Sequence, residues 1–146
     1  MEHSSSYVKT ATLKAMEDSL FTKIIHGEIP CHKVYEDEKT FAFMDIHPVQ
    51  PGHVLVVTKT QIPNFYELTN DDYQALMSTV KNVAERLKRE YPNKKRIAVI
   101  IEGLDIDHVH VKLFPIDTGE ELRTLPDDDI ETDNAALAEL AQRLAS

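Results

Sequence analysis

Hydrophobic positions near the start of the chain recur at helical spacing. Between residues 20 and 25 the apolar side chains share one helical face. Asp18 or Ser19 can cap this short helix, Gly27 can end it, and Pro30 prevents its continuation. The pattern predicts a short helix that begins near residue 19 and ends at the glycine.

Three short runs of strand-forming residues follow this helix. Residues 31–37 (CHKVYED) and 39–46 (KTFAFMDI) are separated by charged residues, and the breaker-rich segment HPVQPGH precedes the apolar run 53–59 (HVLVVTK). Runs of this length with short connections predict an antiparallel meander.

A long helix is predicted after the segment Thr69–Asp72, which offers caps and N-terminal negative charge. Apolar positions from Tyr73 to Leu87 recur at helical spacing, and Pro92 marks the end of the pattern. This is the strongest helical signal in the chain.

Two more strands and a C-terminal helix complete the predicted elements. The strands are 96–102 (RIAVIIE) and 107–114 (DHVHVKLF), joined by a tight connection that contains Gly103, and the helix lies within 134–146. Helices packed on one face of an antiparallel sheet give an α+β fold.

Composition and charge narrow the function. With 146 residues, 42% hydrophobic and 28% charged, the chain can form one domain, which we place at residues 18–146 after a flexible tail at residues 1–17. The net charge of −9 argues against nucleic acid polymers and anionic membranes as partners. A small anionic ligand is compatible with this charge because a local pocket of amides, His and Lys can oppose it.

Cysteine usage and hydropathy indicate a cytoplasmic protein. Cys31 is the only cysteine, which excludes an internal disulfide and a thiol-based structural zinc site. The chain has no stretch of about 18 apolar residues and no continuous apolar segment of a signal peptide at its start. We expect no membrane association.

A strand through DHVHVKLF would place His108, His110 and Lys112 on one face with Phe114, and the valines and leucine between them on the other. The second face is expected to be core. A neutral, correctly aimed imidazole can attack phosphorus, and a polar group on its far nitrogen fixes its tautomer. Lys112 lies about 7 Å beyond His110 by strand rise, and its positive charge suits an anionic phosphate oxygen. The strand predicts a small anion site.

Two other interpretations of this strand stay open. The histidines can be polar residues that are merely tolerated on a half-exposed strand. They can also belong to a metal site with His53 as third imidazole and Asp105 or Asp107 as carboxylate ligands, although the chain lacks a Cys cluster or an HExxH helix.

Several motifs are specific in combination: the run KIIHGEIP, the pair Asp45-Ile46, the turn PGH and the segment EGLDIDHVHVKLFP. Together they resemble the N-terminal half and the signature strand of histidine triad nucleotide hydrolases. The similarity covers roughly residues 19–116. It implies that family's fold, with an antiparallel sheet of about five strands, one long helix and short flanking helices.

The resemblance implies a reaction in which the middle histidine, His110 here, attacks the α-phosphate of a nucleoside phosphoramidate or dinucleoside polyphosphate. The nucleotidyl-histidine that forms is then hydrolysed by water. His108 matches the first, orienting histidine, Lys112 stands at the third position, and the ribose-binding carboxylate falls on Asp45. The positions implied for the base pocket are Phe21, Ile24, Phe43 and Ile46.

The chain departs from the family pattern around the phosphate. Lys112 replaces the third histidine, and it keeps a charge but is a poor proton shuttle unless strongly desolvated. Gly103 is retained, Leu104 stands where the family has glutamine, and Asp105 replaces a small polar residue. We expect Gly103 and Asp105 at the nucleotide phosphate, with a pairing of Asp105 and Lys112 as an alternative.

A further departure concerns metal. Zinc-bearing bacterial members have a cysteine pair where this chain has Ser19 and Thr22, and His53 and His108 match the two remaining ligands. Two imidazoles alone make a weak site, so we predict no bound metal and no cofactor.

The leading hypothesis is a nucleotide hydrolase or nucleotidyltransferase acting through His110 on a purine nucleotide or nucleotide conjugate. The alternative is a nucleotide-binding or sensor protein that kept the pocket and lost turnover. Family members of this length usually form two-fold dimers, so we expect a homodimer through residues 70–101, the long helix and the strand after it.

Overall fold

The computed structural model describes residues 17–146 and shows an α+β arrangement of one five-stranded sheet with helices. The predicted tail, residues 1–17, lies outside the described residues apart from Glu17. In chain order the elements are α1 (Leu20–Ile25), β1 (Lys33–Glu36), β2 (Thr40–Met44), β3 (Val54–Thr58), a 3-10 helix (Phe65–Glu67), α2 (Asn70–Glu90), β4 (Arg96–Ile100), β5 (His110–Ile116), α3 (Gly119–Leu122) and α4 (Asn134–Ala145).

The signals around α1 act as the sequence predicts. Ser19 has extended backbone angles, and its hydroxyl accepts a hydrogen bond from the Thr22 N–H as the N-cap. Gly27 has a φ of 79°, the left-handed conformation that favours glycine after a helix. A helix this short is not stable alone, so α1 depends on burial of Phe21 and Ile24.

The sheet is entirely antiparallel, with the strand order β1-β2-β3-β5-β4. The first three strands form the predicted meander, and β5 pairs with β3 on one side and with β4 on the other. The predicted fold class is confirmed. The two edges of the sheet are β1 and β4.

Both faces of the sheet are covered. On one face α2 and α4 pack over the main hydrophobic core, which includes Val111 and Leu113 of β5. On the other face Phe21 and Ile24 of α1 pack with apolar residues of β2 and β3. The prediction that the helices share one face is therefore wrong. Every residue of β2 and β3 is buried, so both of their faces need apolar cover.

The longest helix, α2, begins after Thr69, whose side chain accepts a hydrogen bond from the Asp72 N–H. It ends at Glu90, before Pro92, as predicted. None of the helices within residues 17–146 is long and apolar enough to cross a membrane.

The connection from β4 to β5 differs from the tight link predicted around Gly103. It spans residues 101–109, and β5 begins at His110, so His108 precedes the strand. The N–H of Val109 donates to the Ile62 carbonyl and the N–H of His108 to the Ile106 carbonyl, which removes both residues from the ladder. The resulting loop lies beside the two histidines.

Candidate active site

His108 and His110 are both buried, and His110 opens β5. The ring of His110 lies 4.9 Å from the ring of Phe21 on α1, measured between centroids. Strand pairing sets Val57 opposite His110 and Leu55 opposite Lys112. The predicted triad positions therefore lie on the sheet face that α1 covers.

One hydrogen bond determines the tautomer of His110. Its Nδ1 lies 2.8 Å from the carbonyl oxygen of His108. Because a carbonyl only accepts, Nδ1 carries the proton, and Nε2 of the neutral ring keeps the lone pair. A neutral imidazole with a lone pair on Nε2 is the form that can attack phosphorus.

His108 is held at both ring nitrogens. Its Nε2 lies 2.6 Å from the carbonyl oxygen of Thr58 and donates to it. Its Nδ1, 2.7 Å from the Ser19 hydroxyl oxygen, therefore accepts the hydroxyl proton when the ring is neutral. Burial lowers the pKa of His108, which favours this neutral form.

A polar cluster surrounds Nδ1 of His108. The Thr22 hydroxyl donates to Oε1 of Gln61 at 2.7 Å, and the N–H of Ser19 donates to the same oxygen at 2.8 Å. The proposed matching of zinc ligands is therefore wrong in one position, because Gln61 rather than His53 completes the group formed by Ser19, Thr22 and His108. Gln61 lies in an irregular segment without a periodic pattern, so sequence reasoning missed it.

His53 is paired with Asp45. Its Nδ1 accepts a hydrogen bond from the Val49 N–H at 3.1 Å, so its Nε2 carries the proton and faces Oδ2 of Asp45 at 3.6 Å. Within residues 17–146 this buried Nε2 has no hydrogen-bond partner. Desolvation lowers the pKa of His53 to about 4, against the opposing effect of the Asp45 carboxylate. The ring is neutral near pH 7, so its contact with the half-buried Asp45 carboxylate is not an ion pair at that pH.

The alternative metal site required His53 and nearby carboxylates to converge on His108 and His110. Within the described part of the chain, the group of three His, Cys, Asp or Glu residues close enough to share an ion is Asp18, His26 and Glu28, all of them exposed. The residues of the proposed metal site are not brought together.

Lys112 forms an ion pair with Glu102. The Lys112 Nζ lies 3.0 Å from Oε1 of Glu102, and the hydrogen bond from this ammonium lowers the pKa of the Glu102 carboxyl. The alternative partner predicted from the sequence, Asp105, is exposed on the same loop. Sequence reasoning missed Glu102, although its place directly before Gly103 was the available signal.

Gly103 lies over His110. It has a φ of 64°, which favours glycine, and a Cβ at this position would lie 4.0 Å from Cε1 of His110. A small cavity of about 110 Å³ opens here, and its lining includes His110, Gly103, Glu102 and the exposed Tyr66. The aromatic residues of the 3-10 helix were not among the predicted site residues.

The residues predicted for the base pocket fall into two groups. Phe21, Ile24 and Phe43 are buried in one cluster, where the Phe21 and Phe43 ring centroids are 5.7 Å apart. Ile46 lies outside that cluster, is 47% exposed, and lines a separate cavity of about 400 Å³ against residues 124–137. The structure brings Phe21 against His110 and gathers Ile24 and Phe43 around Phe21, but it does not bring Ile46 to this cluster.

Comparisons with known proteins agree on one family. The family model of the HIT domain matches residues 26–119. An uncharacterised HIT-like protein of Methanocaldococcus jannaschii is 39% identical over 103 residues, which cover 66% of this chain and 77% of that protein. An adenosine 5′-monophosphoramidase of Schizosaccharomyces pombe is 33% identical over 96 residues, covering 66% of this chain and 72% of that enzyme. The crystal structure of a HIT-like protein from Bartonella henselae has a TM-score of 0.76 at 28% identity, covering 88% of this chain and 94% of that one.

Proposed function

Because the chain belongs to the HIT domain family, we propose that it binds a purine nucleotide or nucleotide conjugate and breaks a bond at the α-phosphate, as a hydrolase or nucleotidyltransferase. The observation that carries this proposal is the 2.8 Å hydrogen bond from His110 Nδ1 to the His108 carbonyl, which leaves the lone pair on Nε2. The monophosphoramidase activity named for the Schizosaccharomyces pombe relative supports nucleoside phosphoramidates as substrates. Dinucleoside polyphosphates offer the same α-phosphate.

The reaction has two steps at phosphorus. Nε2 of His110 attacks the α-phosphorus, the new N–P bond forms, and the bond to the leaving group breaks with its electron pair on the leaving nitrogen or oxygen. An amine must then take up a proton to leave as a stable species. Water attacks the nucleotidyl-histidine next, the N–P bond breaks, and its electron pair returns to Nε2 as the nucleoside monophosphate is released. The proton that an amine takes up comes from solvent in the first step, and the proton of the attacking water returns to solvent in the second.

The remaining predicted residues position the nucleotide. Phe21 and Phe43 offer apolar ring surface for a flat base, with Ile24 beside them and Ile46 at the outer rim. Asp45 accepts hydrogen bonds from the ribose hydroxyls. The loop at Gly103 and Asp105 passes over the phosphate.

Lys112 takes the third triad position in this scheme. Its ammonium neutralises charge on the phosphate and on the departing group, but a lysine holds its proton near neutral pH unless it is strongly desolvated. The activity is therefore expected to favour leaving groups that depart as stable anions over simple amines. The ion pair with Glu102 must open or rearrange when phosphate approaches.

The test is His110→Ala, assayed with adenosine and guanosine phosphoramidates for release of the nucleoside monophosphate. We expect turnover to fall by about three orders of magnitude or more, with nucleotide affinity within about tenfold of the unaltered chain, because His110 acts mainly in the transition state. Glu139→Ala, at an exposed residue of α4 on the opposite face of the sheet, is the control. Equal turnover with and without His110 would exclude the covalent mechanism.

A second candidate is a nucleotide sensor without turnover. The observation that favours it is the Lys112–Glu102 ion pair, because it neutralises the one cation that the third triad position offers to a phosphate. The same assays separate the two candidates. A sensor binds nucleoside monophosphates through Asp45 and Phe21 but releases no product from any phosphoramidate or dinucleoside polyphosphate.

A further inference from the structure

The polar cluster at the start of α1 is joined to the candidate nucleophile by two hydrogen bonds that meet at His108, one at its ring and one at its carbonyl. The Ser19 hydroxyl meets Nδ1 of His108 at 2.7 Å, and the His108 carbonyl meets Nδ1 of His110 at 2.8 Å. Ser19 is separated from His108 by 89 positions in the chain, so this contact exists only in the folded protein.

Which atom donates each of these hydrogen bonds follows from the acceptors, because a carbonyl oxygen cannot donate. The Thr58 carbonyl forces the proton of neutral His108 onto Nε2, which leaves Nδ1 as an acceptor. The Gln61 side-chain oxygen takes the Thr22 hydroxyl proton, so Thr22 is committed elsewhere. The Thr22 hydroxyl oxygen is also 3.5 Å from Nδ1 of His108, whereas the Ser19 hydroxyl oxygen is 2.7 Å from it. The Ser19 hydroxyl also lies 3.3 Å from the Thr22 hydroxyl oxygen, but Nδ1 of His108 is the nearer acceptor at 2.7 Å, so Ser19 is the donor to His108.

His108 depends on these contacts because it lies outside the β5 ladder. Its ring is anchored to the end of β3 through Thr58 and to α1 through Ser19, and the edge of the Phe21 ring packs on it with centroids 5.7 Å apart. The carbonyl that orients His110 belongs to the same residue. Backbone hydrogen bonds of His108 and Val109 also hold this segment, so loss of one ring anchor loosens the ring first and shifts the carbonyl through it.

We propose that Ser19 is a positioning residue, whose hydroxyl anchors the neutral His108 ring at Nδ1 and thereby helps to aim Nε2 of His110 at the substrate phosphorus. This inference rests on the proposed function of His110. The hydroxyl at position 19 has two roles, since its oxygen also accepts the Thr22 N–H as the cap of α1. An experiment must separate the donor from the cap.

Four substitutions make this separation. Ser19→Thr keeps both the cap and the donor. Ser19→Gly keeps most of the cap and removes the donor, Ser19→Asp caps well but only accepts, and Ser19→Ala loses both. Thr69→Ala removes the equivalent cap of α2, away from the histidines, and controls for loss of a cap alone.

Two readouts are measured for each variant: the ¹⁵N chemical shifts of the His108 and His110 rings, and kcat with KM for an adenosine phosphoramidate. We expect Ser19→Thr and Thr69→Ala to keep the native ring shifts and kcat, and Ser19→Gly and Ser19→Asp to change the Nδ1 shift of His108. Ser19→Gly and Ser19→Asp should lower kcat by about 10- to 100-fold with KM within about threefold, since misaimed reacting groups cost rate rather than binding. Ser19→Asp should also protonate Nδ1 of His108.

The outcomes are decisive in both directions. Native His108 ring shifts and native kcat in Ser19→Gly and Ser19→Asp, with a defect in Ser19→Ala alone, would show that Ser19 is only a helix cap. If the unaltered chain turns over no substrate, the proposed function fails, but the ring shifts still decide whether the Ser19 hydroxyl anchors His108. Unchanged His108 shifts in every variant would overturn the proposal whatever the activity.

Discussion

At the scale of single residues, the ion pair between Lys112 and Glu102 determines how much positive charge the site offers to a phosphate. The pair joins the third triad position to the loop that passes over His110, at 3.0 Å. Both side chains are partly exposed, so the attraction is modest and screened by water. A bound phosphate can therefore compete for the ammonium.

Replacing Glu102 by Gln removes the competing charge and leaves the shape of the side chain. We expect adenosine monophosphate to bind about three- to tenfold tighter, with a steeper dependence on salt, because Lys112 is then free for the phosphate. Titration calorimetry measures both. Glu36→Gln is the matched control. Glu36 lies on the edge strand β1, and its carboxylate is paired with Lys33 and Lys59. Unchanged affinity in Glu102→Gln would mean that the pair does not limit phosphate binding.

At the scale of secondary structure, the elements that the sequence predicts are those whose apolar positions define a buried face. The helix α2 and the strands β2 and β3 have such patterns, and α1 adds a cap at Ser19 and a glycine with positive φ. No periodic pattern marks residues 103–106, and the strand patterns predicted through residues 101–102 and 107–109 extend beyond the ladder. Their path depends on hydrogen bonds to distant backbone, such as Val109 to Ile62, so the length of this loop could not be predicted.

The site residues also divide into those that lie in a patterned segment and those that lie in an irregular one. His108 and His110 could be identified because strand alternation and the family resemblance point to the same positions, and their catalytic roles remain predictions. Gln61 and Glu102 reach the site from irregular segments, where spacing carries no information about direction. Ile46 follows β2 after the chain has left the ladder, and its side chain turns to a different cavity.

The edge strand β4 carries the prediction of a homodimer. It pairs only with β5, its outer edge is unpaired within residues 17–146, and Val99 is 45% exposed. Antiparallel pairing of β4 with a second copy would continue the sheet. We expect a dimer at micromolar concentration in sedimentation velocity and its dissociation in Val99→Lys, which places like charges near the two-fold axis.

Leu125→Lys makes the same charge change at a residue that is 85% exposed and distant in the sequence from β4, and it should stay dimeric. A monomeric unaltered chain would disprove the dimer. If the Val99→Lys chain associates as tightly as the unaltered one, the dimer interface does not include β4.

At the scale of the whole molecule, folding buries two neutral histidines in a chain of net charge −9. Desolvation lowers the pKa of His53 and of His108 below the ordinary value of 6.5, to about 4 for His53. In the unfolded chain both rings titrate near the ordinary value. Between about pH 4 and 6.5 the unfolded chain therefore binds more protons than the folded one. Stability is fully present above this window and is lost as the pH falls through it.

We expect the free energy of unfolding to be roughly 2 kcal/mol lower at pH 5 than at pH 7 through His53 alone, measured by urea unfolding at each pH. Carboxylates contribute little to this difference, because most of them stay ionised in both states above pH 5.

In His53→Asn the side-chain oxygen still accepts the Val49 N–H but does not titrate, so the variant should be less stable at pH 7 and lose less on acidification. His26→Asn, at an exposed histidine, should keep the native slope. If His53→Asn loses stability as steeply as the unaltered chain between pH 7 and pH 5, His53 is not the buried group that makes the fold acid-sensitive.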